Sequence, residues 1–348
     1  MLPVPSSRPA EFQSGDIVDG RYRIVRKLAD GGMGTVFLAE HMLIKRRVAI
    51  KQLHAELASD RTMVQRFLDE AAAAGTLGHP NIVESTDMGF TRDGSAYIVF
   101  EYLEGCLLLE EITRLGRLPL RRALHIARQL ASALEAAHAA HIAHLDLKSD
   151  NVFLTNEGEA LDHAKLLDFG ISRFMEADHA ITSPGILMGT PEFMAPEQVT
   201  EPDRVDCRAD IYALGVVLYE MLTGHCPFVH DDPRVLLHRI VHDTPPALDC
   251  PVPEALERLL FGGMLVKARS ARLQTMCAVK ELLDELAATL TPGVPPALST
   301  FDEPGAARAS EPASEVSAPD WVVESWFDDD RSIDVPREPS SWGVEVWP

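Results

Sequence analysis

The chain has 348 residues, of which 46% are hydrophobic and 24% charged, the balance of a globular protein. At about 100–200 residues per domain, this length allows two lobes or domains plus a tail. Lys and Arg number 32 against 53 Asp and Glu, a net charge of −21. That balance argues against a nucleic-acid binder and against docking on anionic lipid through a basic patch.

The five cysteines, Cys106, Cys207, Cys226, Cys250 and Cys277, form no C-x-x-C pair, so neither a zinc ribbon nor a redox motif is present. An odd number in a chain long enough to bury a core points to a reducing, cytoplasmic compartment. The N-terminus MLPVPSSRPAEF has no basic n-region followed by an apolar run, so it does not read as a signal peptide. No stretch approaches the ~18 uninterrupted apolar residues of a membrane span.

In chain order, residues 1–19 read as a loose leader. Tyr22–Leu28, Thr35–Ala39 and Arg47–Leu53 are short, β-branched or apolar runs between turn residues and predict strands. A helix is predicted over 58–77, with Met63, Phe67, Ala71 and Ala74 at helical spacing and a stop at His79-Pro80. Val83–Met88 and Ala96–Tyr102 predict two more strands. From Gly105 the pattern turns helical, with helices expected at Leu120–His141, Asp210–Thr223, Pro233–His242, Pro253–Val266 and Met276–Thr289. The stretch 142–200 reads as loop-rich. Residues 291–348 hold twelve acidic and three basic residues among many Pro and Ser, a composition that cannot bury enough surface to order itself. All four tryptophans lie there (Trp321, Trp326, Trp342, Trp347), read either as a partner-binding motif or as scattered aromatics in a solvated tail.

Five constellations carry chemistry. The first is Leu28-Ala29-Asp30-Gly31-Gly32-Met33-Gly34-Thr35-Val36, whose glycines let backbone N–H groups approach phosphates. It lacks the Gly-Lys-Ser/Thr of a Walker A loop. It runs into strand rather than helix, which excludes a dinucleotide loop. A hairpin lid and a simple glycine-rich turn both remain open. The second is Val48-Ala49-Ile50-Lys51: an ammonium in an apolar strand needs a partner. Glu70 on the following helix lies beside its buried side, while the adjacent Asp69 is a helical step away. The third, His144-Leu-Asp146-Leu-Lys148-Ser-Asp-Asn151, packs a base, a cation and an amide into one turn. The fourth, Lys165-Leu-Leu-Asp168-Phe-Gly170, ends an apolar strand on a carboxylate able to bind Mg²⁺. The fifth is Gly189-Thr190-Pro-Glu-Phe-Met-Ala-Pro-Glu197.

In this order and spacing the motifs resemble the protein kinase superfamily, of the bacterial Hanks-type serine/threonine class. The resemblance implies an α+β bilobal kinase fold over 20–289. It divides into a small, mostly β N-lobe with one main helix (about 20–104) and a larger helical C-lobe (about 105–289), followed by an acidic tail over 290–348. It implies ATP and Mg²⁺ (or Mn²⁺) as cofactors and protein substrates. By residue, it implies Lys51 on the α- and β-phosphates and paired with Glu70, Asp146 accepting the substrate hydroxyl proton, Lys148 steadying the γ-phosphate, and Asn151 and Asp168 on the metal. Val36, Ala49 and Phe153 would sandwich adenine, with Phe100 as gatekeeper and Glu101 to Leu103 as hinge. Thr190 would face the substrate loop, Asp210 would open a buried central helix, and Arg272 would pair with Glu197. Lys148 together with Gly-Thr-Pro points to serine/threonine rather than tyrosine acceptors. Thr182 and Ser183 stand where relatives autophosphorylate.

Three positions depart from the family pattern. Ala29 replaces the first loop glycine, with an expected cost in ATP affinity. Ser149 replaces a common Pro. Leu145 replaces the Arg that normally receives an activation-loop phosphate, with Arg173 as a candidate substitute cation. The alternative reading is a pseudokinase scaffold on the same fold.

Overall fold

A computed structural model describes residues 11–157, 160–168, 173–174 and 190–290. Residues 1–10, the candidate phosphosites Thr182 and Ser183, the side chains of Glu70 and Arg173, and the tail 291–348 lie outside the described residues.

The chain begins with β1 (Ile17–Val18), β2 (Tyr22–Asp30), β3 (Gly34–His41) and β4 (Arg47–Leu53), then helix α1 (Arg61–Leu77), β5 (Ser85–Phe90) and β6 (Ala96–Glu101). These strands form one antiparallel sheet in the order β1-β2-β3-β4-β6-β5. Strand alternation sorts the side chains of β4: Val48 and Ile50 join Ile24, Phe37, Tyr97 and Val99 on one face. Ala49 and Leu53 pack with Phe67 of α1, Ile98 and Phe100 on the other. Lys51 shares the period of Ala49 and Leu53, so its side chain is carried to the α1 face.

Helix α1 starts later than the predicted 58, because the Asp60 carboxylate caps it by accepting the N–H groups of Thr62 and Met63 at 2.8 and 3.4 Å. Strand β5 starts two residues after the predicted Val83. Val83 N–H is instead spent on Leu166 O at 3.0 Å, and Ile82 bridges Leu166 in parallel.

The loose leader expected over 1–19 is corrected for residues 11–19. Phe12 is buried against Phe37, its ring centroid 5.6 Å away, and its N–H donates to Gln52 Oε1 at 2.9 Å. Glu11 pairs with Lys27 at 3.0 Å, and β1 adds a strand to the sheet. Burying a phenylalanine side chain is worth about 1.5–3 kcal/mol, enough to seat a short segment.

Past the hinge come β7 (Gly105–Leu107), α2 (Leu108–Leu115), α3 (Leu120–Ala139), β8 (Ile142–Ala143), β9 (Val152–Glu157), β10 (Ala160–Leu166) and β11 (Arg173–Phe174). Helices α4 (Pro196–Thr200), α5 (Arg208–Thr223), α6 (Pro233–His242), α7 (Glu254–Leu259) and α8 (Met276–Thr289) complete the described chain. The hairpin β9–β10, with β7 on its edge, lies in the stretch read as loop. Its apolar alternation is interrupted by Thr155, Asn156, Asp162 and His163, which hid it from a periodicity argument. The predicted helix 253–266 is α7 followed by a π turn over Leu260–Met264, at the poor helix formers Gly262 and Gly263.

Helix α5 is the centre of the larger lobe, buried from Ala209 to Thr223 and packed on α3, with α8 on their flank. It ends at Gly224, in the left-handed region at φ +85°, where a Cβ would come within 1.9 Å of Gly116 O, so only glycine fits. Arg272 pairs with Glu197 through two bonds of 2.6 and 2.9 Å, both side chains buried, as the sequence implied.

Burial first, then the neighbouring Asp150 and Glu192, push the Glu220 carboxyl up to about 7 against the opposing pull of Ser149, and its Oε2 has no hydrogen-bond partner among the described residues. In the unfolded chain this group ionises near 4.5, so the fold holds the extra proton and loses stability as pH rises from about 4.5 to 7. Glu220→Gln removes that slope. Urea denaturation at pH 5 and pH 8 should show the variant gaining on the native chain with pH, by up to a few kcal/mol at about 1.4 kcal/mol per unit. An unchanged difference between the two pH values would contradict the assignment.

Candidate active site

The turn between β2 and β3 carries the glycine-rich run as a hairpin lid, closed by Gly31 N–H on Gly34 O at 2.9 Å. A Cβ at Gly34 would sit 2.2 Å from Gln52 O, so β3 approaches β4 closely only because this residue is glycine. Asp30 accepts the Thr35 hydroxyl at 2.7 Å, which pins the two ends of the lid together. Ala29 is exposed in β2 opposite Val36, outside the left-handed region. Its methyl group therefore imposes no backbone strain there.

Beneath the lid, Lys51 is buried at 6% exposure and its Nζ donates to Asp168 Oδ1 at 2.9 Å. The expected partner Glu70 lies on α1, with its side chain outside the described residues. Ala49, Phe100, Leu103 and Leu167 pack in one apolar cluster. Phe153, on β9, pairs with Leu107 of β7. The hinge is anchored by a contact the sequence reading missed. Lys165 Nζ donates to Glu101 Oε1 at 2.8 Å, and the same oxygen accepts Glu84 N–H at 2.9 Å. Lys165 lies three residues before Asp168, so the hinge and the strand leading to Asp168 are joined through one carboxylate.

The loop 144–151 is held from below by Asp210 at the start of α5. Its carboxylate accepts the N–H of His144 at 2.9 Å, the N–H of Leu145 at 2.8 Å and His138 Nε2 at 2.7 Å. Burial alone would raise the Asp210 pKa. The His138 bond, the nearby imidazoles and the Leu145 N–H outweigh it and hold the carboxyl below its ordinary range. Leu145 sits at φ +61°, a costly conformation for a branched residue. Both of its backbone polar groups are clamped, N–H on Asp210 and carbonyl on Gln198 Nε2 at 3.0 Å. Its side chain packs on the core of the larger lobe. His144 Nδ1 accepts Asp146 N–H at 3.3 Å while Nε2 meets Leu167 O at 3.1 Å, which places the ring proton on Nε2.

Asp146 is thereby presented with one oxygen engaged. Oδ2 accepts Asn151 Nδ2 at 3.1 Å and lies 3.3 Å from Lys148 Nζ, while Oδ1 has no hydrogen bond among the described residues. Lys148 also donates to Thr190 Oγ1 at 3.1 Å, which ties this loop to the start of the segment 190–197. Asn151 gives its amide N–H₂ to Asp146, so its side-chain oxygen remains as an acceptor beside Asp168, whose strand is joined to it by Leu167 N–H on Asn151 O at 2.8 Å. Asp168 sits at φ +38°, its side chain half exposed at 45%. Gln198 was missed as well. Its Oε1 accepts Ala195 N–H at 2.9 Å while Nε2 reaches Leu145. The signal was available, since Pro196 followed by Gln198 is a helix-start pattern whose third residue folds back on the cap.

The arrangement sets a carboxylate with an open oxygen beside an ammonium, and a second carboxylate beside a buried ammonium under a glycine lid. An oxygen–amide donor set with no cluster of three or more His, Cys, Asp or Glu among the described residues suits a hard divalent cation shared with phosphate oxygens, rather than a zinc centre.

Residues 22–283 match the protein kinase domain family. The chain is 40% identical over 267 residues to the serine/threonine-protein kinase Pkn1 of Myxococcus xanthus, covering 76% of this chain and 38% of that protein. It is 38% identical over 290 residues to pkn2 of the same organism, covering 80% and 34%. With the serine/threonine-protein kinase PrkC of Bacillus subtilis it shares 38% identity over 250 residues, covering 71% and 38%. The chain thus spans well under half the length of these relatives. With the five motifs in order on a bilobal fold, and a family match over most of its length, this chain belongs to the protein kinase family, of the bacterial Hanks type.

Proposed function

We propose that the protein transfers the γ-phosphoryl group of ATP to serine or threonine hydroxyls of protein substrates, with Mg²⁺ as the metal and autophosphorylation among its reactions. The observation that carries this reading is Asp146, with Oδ2 pinned by Asn151 and Oδ1, which has no hydrogen bond among the described residues, placed to take the hydroxyl proton as the oxygen attacks phosphorus. Lys148, between Asp146 and Thr190, is placed to balance charge on the transferred group. Lys51 would exchange part of its contact with Asp168 for the α- and β-phosphates. Asn151 and Asp168 would hold the metal, which supplies charge neutralisation across the phosphates. Val36, Ala49, Phe100, Leu103 and Phe153 would receive adenine, with Glu101 held by Lys165 at the hinge.

A pseudokinase scaffold is disfavoured because Lys51, Asp146, Lys148, Asn151 and Asp168 are all present and mutually arranged. A cytoplasmic location rests on the cysteine pattern. Among the described residues no helix is long and apolar enough to cross a membrane. The acidic, tryptophan-bearing tail is proposed as a partner-binding segment on composition alone.

Asp146→Asn should lower kcat about 10²–10⁴-fold, the worth of a general base, while ATP affinity stays within about twofold. Lys51→Met should also remove activity. Radiolabelled ATP and equilibrium nucleotide binding separate the two effects, and near-native turnover in Asp146→Asn would overturn the assignment.

Leu145 bears on control. A buried arginine at this position would need a phosphate to neutralise it. Leu145 is apolar and packs on the core, so it creates no such demand. The double variant Thr182→Ala/Ser183→Ala should therefore keep peptide phosphorylation within a few-fold of the native chain. A hundredfold loss, ~2.7 kcal/mol of barrier, would reject independence from loop phosphorylation.

A further inference from the structure

Helix α6 carries two histidines that no step of phosphoryl transfer uses. His238 and His242 are four residues apart, so they lie on one side of the helix, one turn above the other. Their ring centroids are 4.6 Å apart and the ring planes meet at 48°. Both residues are exposed. The buried side of α6 is made by Leu236 and Ile240, which pack with Phe228. Two residues correspond to about 200° of rotation, so the histidines stand on the side of the helix away from that cluster.

Both ends of this helix are fixed. At its start the Asp232 carboxylate accepts Arg234 N–H at 2.9 Å. At its end Asp243 N–H bonds Arg239 O at 2.9 Å, and Lys267 Nζ donates to the carbonyl oxygens of Arg239 and Ile240. These bonds take up carbonyl groups that a helix end leaves unsatisfied, so the last turn, which carries His242, is held in register with the turn that carries His238. The cations nearby are engaged elsewhere. Arg239 donates to Val229 O at 3.3 Å, and Arg234 lies 3.8 Å from Asp232.

Imidazole nitrogen is a ligand for zinc, copper and nickel, and two histidines at this spacing are how a helix grips a metal ion from one face. An ion about 2.05 Å from one nitrogen of each ring lies about 3.2 Å from each ring centre. Centres 4.6 Å apart then subtend about 90° at the ion. That is the cis angle of a tetragonal site, the preference of Cu²⁺ and Ni²⁺, and it is narrower than the tetrahedral angle of a zinc centre. No cluster of three or more His, Cys, Asp or Glu forms a metal cage among the described residues, so two imidazoles are the whole protein contribution here and the other positions go to water.

We propose that His238 and His242 form a two-imidazole chelate site for a divalent transition ion, Cu²⁺ or Ni²⁺, separate from the phosphoryl-transfer site. The site does not depend on the kinase reading above.

The test uses the full chain with excess Mg²⁺, which fills the hard oxygen sites and leaves imidazole free. Isothermal titration calorimetry with Ni²⁺ should show one tightest site. His238→Ala and His242→Ala should each weaken it at least tenfold, because a chelate is lost with either arm. The variant His242→Ala/Asp243→His keeps the number of histidines but turns one of them about 100° round the helix, and it should bind as weakly as the single variants. One equivalent of Cu²⁺ on the native chain should give an electron paramagnetic resonance spectrum split by two nitrogens, lost in His238→Ala/His242→Ala. A loss below tenfold in either single variant overturns the chelate. So does native affinity in the variant with the moved histidine, which would mean that separate imidazoles bind independently. The native-chain spectrum needs no variant to fold, and a spectrum without splitting from two nitrogens overturns the site by itself.

Discussion

The site depends on one buried carboxylate. Asp210 opens the most deeply buried helix of the protein and accepts the N–H groups of both His144 and Leu145. A non-glycine residue in the left-handed region costs about 1–3 kcal/mol. Each bond to a charged acceptor contributes about 1.5–3 kcal/mol, so the two together outweigh the strain at Leu145. The loop is therefore held in a conformation it would not adopt alone, and Asp146 is presented by that conformation. The core of the larger lobe reaches the chemistry chiefly through this side chain.

Two ion pairs in the protein do opposite jobs, and their burial shows which is which. Arg272 and Glu197 are both closed off from water and bound through two parallel bonds, with further carbonyls of Arg208 and Val266 around the guanidinium. Breaking such a pair strands a buried charge, so it acts as a permanent fastener of the segment 190–197 to the lobe beneath it. Lys51 and Asp168 are asymmetric, the lysine buried and the carboxylate half in water. That pair can be re-partnered by a ligand from the open side. The Lys165–Glu101 contact lies between these extremes and joins the hinge to the strand that ends on Asp168.

Much of this was legible in the sequence because it depends on short-range order. A lysine in an apolar strand, an acid at the end of another, and a base, cation and amide within six residues keep their relation wherever the loops are carried. Helices α5, α6 and α8 were readable from apolar spacing and caps, since few polar residues interrupt them. The rest was hidden for a common reason. The hairpin β9–β10 carries polar residues in adjacent pairs that break its alternation, and of these Asp162 bonds Arg122 and His163 meets Pro80 O. The ties of Gln198 to Leu145, of Lys165 to Glu101 and of Gln52 to Phe12 are each made by a side chain whose partner is distant or unmarked in sequence. The backbone at Ala29, outside the left-handed region, was likewise not legible from the motif position alone.

The seat of Phe12 on the outer face of the small sheet has a practical consequence. The family match begins at residue 22, yet the apolar packing of that sheet begins ten residues earlier. Expressing the domain from the start of the match would strip the cover from Phe37 and Ile24 and take the donor from Gln52 Oε1. Gln52 is the next residue after Lys51 and points to the opposite face. A shortened polypeptide would thus present a greasy patch directly behind the strand that carries Lys51, and would aggregate for reasons that have nothing to do with the loss of an active residue.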